Sequence, residues 1–124
     1  MNVEDWRVLV IEDEADSSEV VREVLESYGV ASWSATTAEE GLAMIAEIQP
    51  TLFIVDLALP GMDGWSFLRE IQSYPETAHI PAVATTAYHS ATVARNAIEA
   101  GFRAYFPKPI DTMSFMRELT SMVG

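Results

Sequence analysis

Glu12, Asp13, Asp56, Thr86 and Lys108 are the residues of this 124-residue chain whose types could do chemistry together. Three carboxylates held close repel one another and call for a cation. All-oxygen ligation with room left for water suits Mg²⁺, and Mn²⁺ by the same donor preference. A carboxylate neutralised in that way can attack phosphorus and become an aspartyl phosphate. Charge on the transferring phosphoryl oxygens then needs fixed donors, and an ammonium such as Lys108 and a hydroxyl such as Thr86 are of the right kind. These residues lie in four separate segments, so the reading depends on a fold that gathers them.

The chain alternates short apolar runs with amphipathic stretches. Arg7-Val8-Leu9-Val10-Ile11 is continuous and rich in β-branched residues, as expected for a strand buried on both faces. From about Ser17, Val20, Val21, Val24, Leu25 and Tyr28 form one helical stripe, and Gly29 sits where that helix should stop. Val30 to Ala35 is a weaker second strand. Thr37-Ala38-Glu39-Glu40 has the spacing of a capping box and opens a helix that ends before Pro50.

Leu52-Phe53-Ile54-Val55 is the most hydrophobic strand and runs directly into Asp56. Pro60 to Gly64 is turn chemistry, followed by a helix carrying Trp65, Phe67, Leu68 and Ile71. Ala82 to Thr85 is a fourth strand, and Thr92 to Ala100 a helix stopped by Gly101. Ala104-Tyr105-Phe106 is a fifth strand, and Thr112 to Val123 a closing helix. Five strands alternating with five helices imply an α/β fold, because parallel strands need crossover connections. Sites in such folds lie at the carboxyl ends of the strands, which is where Glu12-Asp13, Asp56, Thr86 and Lys108 fall.

Composition narrows the function classes. Apolar residues make up 49% and charged residues 21%, the balance of a globular chain. No apolar run approaches the ~18 residues of a membrane span. The acidic start Met1-Asn2-Val3-Glu4-Asp5 is unlike an export or transit signal, so the expected location is the cytoplasm. A net charge of −12, with only seven Lys and Arg scattered along the chain, argues against direct binding to nucleic acid or an anionic membrane. There is no cysteine for a disulfide or thiol chemistry, and neither a G-x-G-x-x-G run nor a P-loop. His79 and His89 are isolated, without metal-ligand partners at useful spacing.

From Val8 to Val123 the chain resembles the response-regulator receiver family of two-component signalling. The resemblance rests on Val8 to Glu14, on Ile54 to Gly64, on Thr86-Ala87, on Ala100-Gly101 and on Tyr105-Phe106-Pro107-Lys108-Pro109, in order and at family spacing. It implies a single receiver domain over residues 1–124, flavodoxin-like and doubly wound, with strand order 2-1-3-4-5. Asp56 would accept the phosphoryl group. Glu12, Asp13, Asp56 and the main-chain carbonyl of Ala58 would hold Mg²⁺. Lys108 would contact the phosphoryl group, with a cis bond to Pro109. Thr86 would bond the phosphoryl oxygens, although Thr85 is a neighbouring hydroxyl that could hold the register instead. Tyr105 would turn inward as Thr86 moves, reshaping the face of the fourth helix, fifth strand and fifth helix.

The implied donor is a histidine kinase or histidine phosphotransfer protein, or a small phosphodonor. The downstream target is unidentified, and phosphorylation-dependent homodimerisation through the last helices is left open. Beyond its own phosphorylation and dephosphorylation, such a domain is no enzyme. The start at Met1 favours a stand-alone or amino-terminal receiver.

Leu59 stands where the family commonly has methionine. Pro107 stiffens the approach to Lys108. Ala58 and Tyr88 occupy positions that influence dephosphorylation in the family; neither orients a water, which implies a long-lived phosphoryl state. The alternative is a degenerate receiver that serves only as a phosphorylation-independent interaction module. A haloacid-dehalogenase-type phosphotransferase would need an aspartate at Ala58.

Overall fold

A computed structural model describes residues 2–123. The apolar runs form strands β1 (Arg7–Ile11), β2 (Ala31–Ala35), β3 (Leu52–Asp56), β4 (Ala82–Thr86) and β5 (Ala104–Pro107). All pairs are parallel, in the order β2-β1-β3-β4-β5. Helices α1 (Ala15–Ser27), α2 (Ala38–Ile48), α3 (Gly64–Gln72), α5 (Ala91–Ala100) and α6 (Thr112–Val123) alternate with them. A single turn, α4 (Pro75–Ala78), lies between α3 and β4. Apolar periodicity marks five helices and not this sixth. Four residues are too few to show an apolar stripe; the turn is held by the Thr77 hydroxyl, which donates to Ile71 O at 2.5 Å.

Alternate residues of each strand face opposite sides of the sheet, and both sides are covered. Leu9, Ile11, Phe53, Val55 and Ala84 pack with Ala38, Phe67, Leu68, Ile71 and Ala97. Val8, Val10, Leu52, Ile54, Val83 and Phe106 pack with Val21, Leu25, Phe115, Met116 and Leu119. Helices α2, α3 and α5 therefore line one face, and α1 and α6 the other. Burial on both faces explains why β3 is apolar from Leu52 to Val55 rather than alternating.

Local chemistry sets the helix ends. The Thr37 hydroxyl accepts the Glu40 amide at 3.0 Å, and Glu40 Oε1 reaches back to the Thr36 amide at 2.7 Å. Asp63 caps α3 by accepting from the Ser66 amide at 2.8 Å, and Ser90 caps α5 through the Val93 amide at 3.1 Å. Ends shift from the sequence expectation by one or two residues. α1 begins at Ala15, β4 continues through Thr86, and β5 includes Pro107. That proline is tolerated because β5 is an edge strand, and the Lys108 amide closes the ladder on Thr86 O at 2.9 Å.

Candidate functional site

Register builds the site before any side chain is considered. Ile11 lies opposite Val55, so Glu12 follows at the level of Asp56; Asp56 lies opposite Thr85, and Thr86 opposite Pro107, one residue before Lys108. The carboxyl ends of four strands thus step along one edge of the sheet. By strand alternation Glu12, Asp56 and Lys108 point to the α1/α6 side.

Glu12, Asp13 and Asp56 each offer a carboxylate oxygen, all within 4.8 Å of one another. Lys108, the chain's single lysine, forms a close ion pair with Glu12 and bonds Asp56 Oδ2 at 3.1 Å. Asp56 Oδ1 accepts the Ala58 amide at 3.0 Å, so both oxygens of this buried carboxylate are held. Glu12 Oε2 accepts the Glu14 amide at 3.2 Å.

The electrostatics follow from crowding several acids around one cation. Glu12 is pushed up to about 7, first by its burial and then by Asp56 beside it, against the opposing pull of Lys108. Burial works against the charge on Lys108. Its pairing with Glu12 and then Asp56 outweighs that, holding the ammonium above its ordinary value. Three acids facing one ammonium leave net negative charge in a recess open to solvent on the Asp13 side, where a groove of about 420 Å³ runs out along α1.

Gly64 makes this geometry possible. A Cβ there would lie 2.5 Å from Asp56 O and 2.8 Å from Leu57 Cα, both immovable main-chain atoms. Only glycine lets α3 begin directly against the end of β3. We expect Gly64→Ala to cost about 2 kcal/mol and to weaken any ligand held by Asp56, measured by urea unfolding.

Thr86 is 2% exposed, and its hydroxyl accepts the Tyr88 amide at 3.1 Å. Among the described residues it makes no hydrogen bond to Asp56. Thr85, 3% exposed, is the hydroxyl level with Asp56 in the ladder. Thr86 instead shares a sheet face with Tyr105, which is level with Ala84. The Tyr105 ring packs on the α2/α3/α5 core, and its hydroxyl is buried without a hydrogen-bond partner. Burial raises its pKa; the Ser90 main chain lies near enough to oppose the shift without reaching hydrogen-bond geometry. The bond from Lys108 to Pro109 is cis.

The structure brings together Glu12, Asp13, Asp56 and Lys108. Ala58 reaches the cluster through its amide, while Thr86 and Tyr105 stand behind it. Two further participants escaped the sequence reading. Glu14 Oε1 lies 3.5 Å from Lys108 Nζ; the run Glu12-Asp13-Glu14 holds that signal, but nothing in it says which acid turns inward. Gly64 looks like an ordinary turn residue until its contact with Asp56 is seen. A concavity of about 1040 Å³ lies at the opposite edge of the sheet, lined by Arg7, Leu42, Ile45, Ile80 and Arg103 among others. It plays no part in placing the carboxylates.

Comparison with known proteins agrees with the fold. The family profile described as the response regulator receiver domain matches residues 8–120. The polar-differentiation response regulator DivK of Brucella ovis is 26% identical over 117 residues, covering 94% of this chain and 95% of DivK. The sensor histidine kinase CheAY of Helicobacter pylori is 31% identical over 107 residues; the match spans 85% of this chain but 13% of that kinase. A crystal structure of a response regulator from Chloroflexus aurantiacus superposes with a TM-score of 0.90 at 25% identity, covering 95% of this chain and 97% of that one. Receiver domains act in two-component signalling and interact with histidine kinases or phosphotransfer proteins. A parallel sheet of order 2-1-3-4-5 with acids at its carboxyl edge, under a profile match across almost its whole length, places the chain in the response regulator receiver domain family.

Proposed function

We propose that residues 1–124 form one receiver domain and that Asp56 is its phosphoacceptor, loaded by a histidine kinase or a histidine phosphotransfer protein in the cytoplasm. The observation that carries this reading is the state of Asp56. It is a carboxylate 3% exposed, oriented by the Ala58 amide and Lys108, with two more acids within reach.

The donor set fits a hard divalent cation. Oxygens of Glu12, Asp13 and Asp56 converge on a net negative recess, and burial already drives Glu12 toward its neutral form. Glu12, Asp13, Asp56 and the Ala58 carbonyl would hold Mg²⁺, or Mn²⁺. When bound, the metal would neutralise the acids and the phosphoryl oxygens.

The protein's part is nucleophile, orientation and charge. An Asp56 oxygen attacks phosphorus. The P–N bond of a phosphohistidine breaks, and its electron pair stays on the imidazole; with acetyl phosphate a P–O bond breaks and acetate leaves. Lys108 exchanges its bond to Asp56 for one to a phosphoryl oxygen. Thr86 gives up the Tyr88 amide and donates to another. Tyr105, on the same sheet face as Thr86, follows into the space vacated. The change is read on the face of α5, β5 and α6, whose flanking helices expose Ile98 (51%) and Met113 (87%). A different protein or a second copy of the chain would bind there, and sedimentation of the phosphorylated chain distinguishes them.

The test is intact mass after incubation with acetyl phosphate, with and without Mg²⁺. A Mg²⁺-dependent gain of one phosphoryl group is expected. No gain by the folded chain, with either acetyl phosphate or phosphoramidate, would favour a phosphorylation-independent interaction module. Ala58 has no polar side chain, and Tyr88 points its ring into solvent at 78% exposure. Ala58 offers no polar group to an attacking water and the exposed Tyr88 is not held against Asp56, so the phosphoryl group should persist for many minutes. A half-life of seconds in Mg²⁺ buffer would contradict that expectation.

A further inference from the structure

Lys108 Nζ carries three N–H groups, and three carboxylates compete for them: Glu12 in close contact, Asp56 Oδ2 at 3.1 Å and Glu14 Oε1 at 3.5 Å. Glu12 and Asp56 have side chains 5% and 4% exposed, whereas that of Glu14 is 63% exposed. Glu14 therefore stands on the solvent side of the ammonium. It occupies the N-cap position of α1, where an acidic side chain could accept a main-chain amide, yet it makes no such bond. Its carboxylate is directed to Lys108 instead.

Glu14 Oε1 and Asp56 Oδ2 lie against the same nitrogen, so they can be no further apart than the two bond lengths combined. Asp56 is 3% exposed, and Glu14 is an exposed carboxylate on the same ammonium, so a phosphodonor that reaches Asp56 enters its field. Glu14 meets that donor in two ways. Its charge repels an incoming anion, and it holds the cation that the phosphoryl oxygens need. Two like charges a few Å apart at a wet surface correspond to roughly three- to tenfold in rate, reduced by salt.

The geometry points to Glu14 as a specificity-determining residue that disfavours free dianionic phosphodonors, by placing a carboxylate on the solvent side of Lys108. This rests on the phosphoacceptor reading of Asp56. It adds that the site selects among donors by their charge.

The experiment compares wild type with Glu14→Gln and Glu14→Asp, phosphorylated by acetyl phosphate, a dianion at neutral pH, and by phosphoramidate, which carries one negative charge fewer. Mg²⁺ is kept at a level where doubling it leaves the rate unchanged, so an altered metal affinity does not enter. Rates are read by intact mass across a NaCl series. Glu14→Gln should speed acetyl phosphate about three- to tenfold and phosphoramidate less. Added NaCl should speed the wild type with acetyl phosphate by a larger factor than it speeds Glu14→Gln. Glu14→Asp should keep the wild-type salt response, which a merely structural role would not predict. Unchanged rates, or equal gains with both donors, would overturn the inference while leaving Asp56 as acceptor. Failure of the folded wild type to gain phosphate from either donor would overturn the phosphoacceptor reading, and this inference with it.

Discussion

Asp56→Asn should gain no phosphoryl group from acetyl phosphate and Mg²⁺ under conditions that fully modify the wild type, a loss of at least about a hundredfold in rate. The reason is nucleophilicity rather than misfolding. Asparagine has nearly the same shape and its oxygen can still accept the Ala58 amide, but a neutral amide oxygen is a poor attacking group. The neighbouring acids are poor substitutes. Glu12 is closely paired with Lys108, and Asp13 is exposed where Asp56 is buried and oriented from both oxygens. The substitution should leave a second mark. Asp56 is one of the causes that raise Glu12, so its loss should bring Glu12 back toward the ordinary range. Modification of Asp56→Asn at the wild-type rate would place the acceptor elsewhere, with Asp13 the first residue to examine.

Mg²⁺ affinity should strengthen about tenfold between pH 6 and pH 8 and then level off, because Glu12 titrates near 7 and a protonated carboxyl is a poor ligand. Stability without metal should move the opposite way. Glu12 has a folded pKa raised above the usual carboxylate value of 4.5. Between these two values the folded chain binds more protons than the unfolded one, so stability falls as pH rises through that window. In chelator the chain should be more stable at pH 5 than at pH 8, Glu12 contributing about 2 kcal/mol of the difference. The general relief of repulsion in a chain of net charge −12 acts in the same direction. Glu12→Gln separates the two effects. It should remove the pH dependence of Mg²⁺ binding and flatten, without abolishing, that of stability. Calorimetric Mg²⁺ titrations and urea unfolding at each pH provide the check. A wild-type Mg²⁺ affinity constant from pH 6 to pH 8 would show that Glu12 is not a ligand.

Local patterning made most of the fold readable. β1 and β3 are continuous apolar runs because both of their faces are buried, and that needs no knowledge of which helix covers which face. Gly29 and Gly101 end their helices with positive φ, a backbone requirement visible in one residue. The Thr37 cap was legible from the Thr37–Glu40 spacing. The caps at Asp63 and Ser90 were harder to see, because turn residues look alike whether or not a helix follows. Helix α4 escaped because one turn has no periodicity.

Which residue types stand at the ends of four parallel strands, and so that acids and one lysine would cluster there, is written along the chain. That follows from alternation and crossover rules, which act along the chain. How charge is divided within the cluster is set by packing between segments. That Glu12 is buried beside Asp56 while Asp13 stays in water depends on the inter-strand register and on where α1 starts. That Glu14 turns to Lys108 rather than capping its own helix depends on an ammonium supplied 94 residues later. Gly64 is likewise required by a contact, with the backbone of Asp56 and Leu57 at the end of β3. Burial, ion pairing and close approach are relations between segments, and a sequence read one segment at a time contains the partners without the distances.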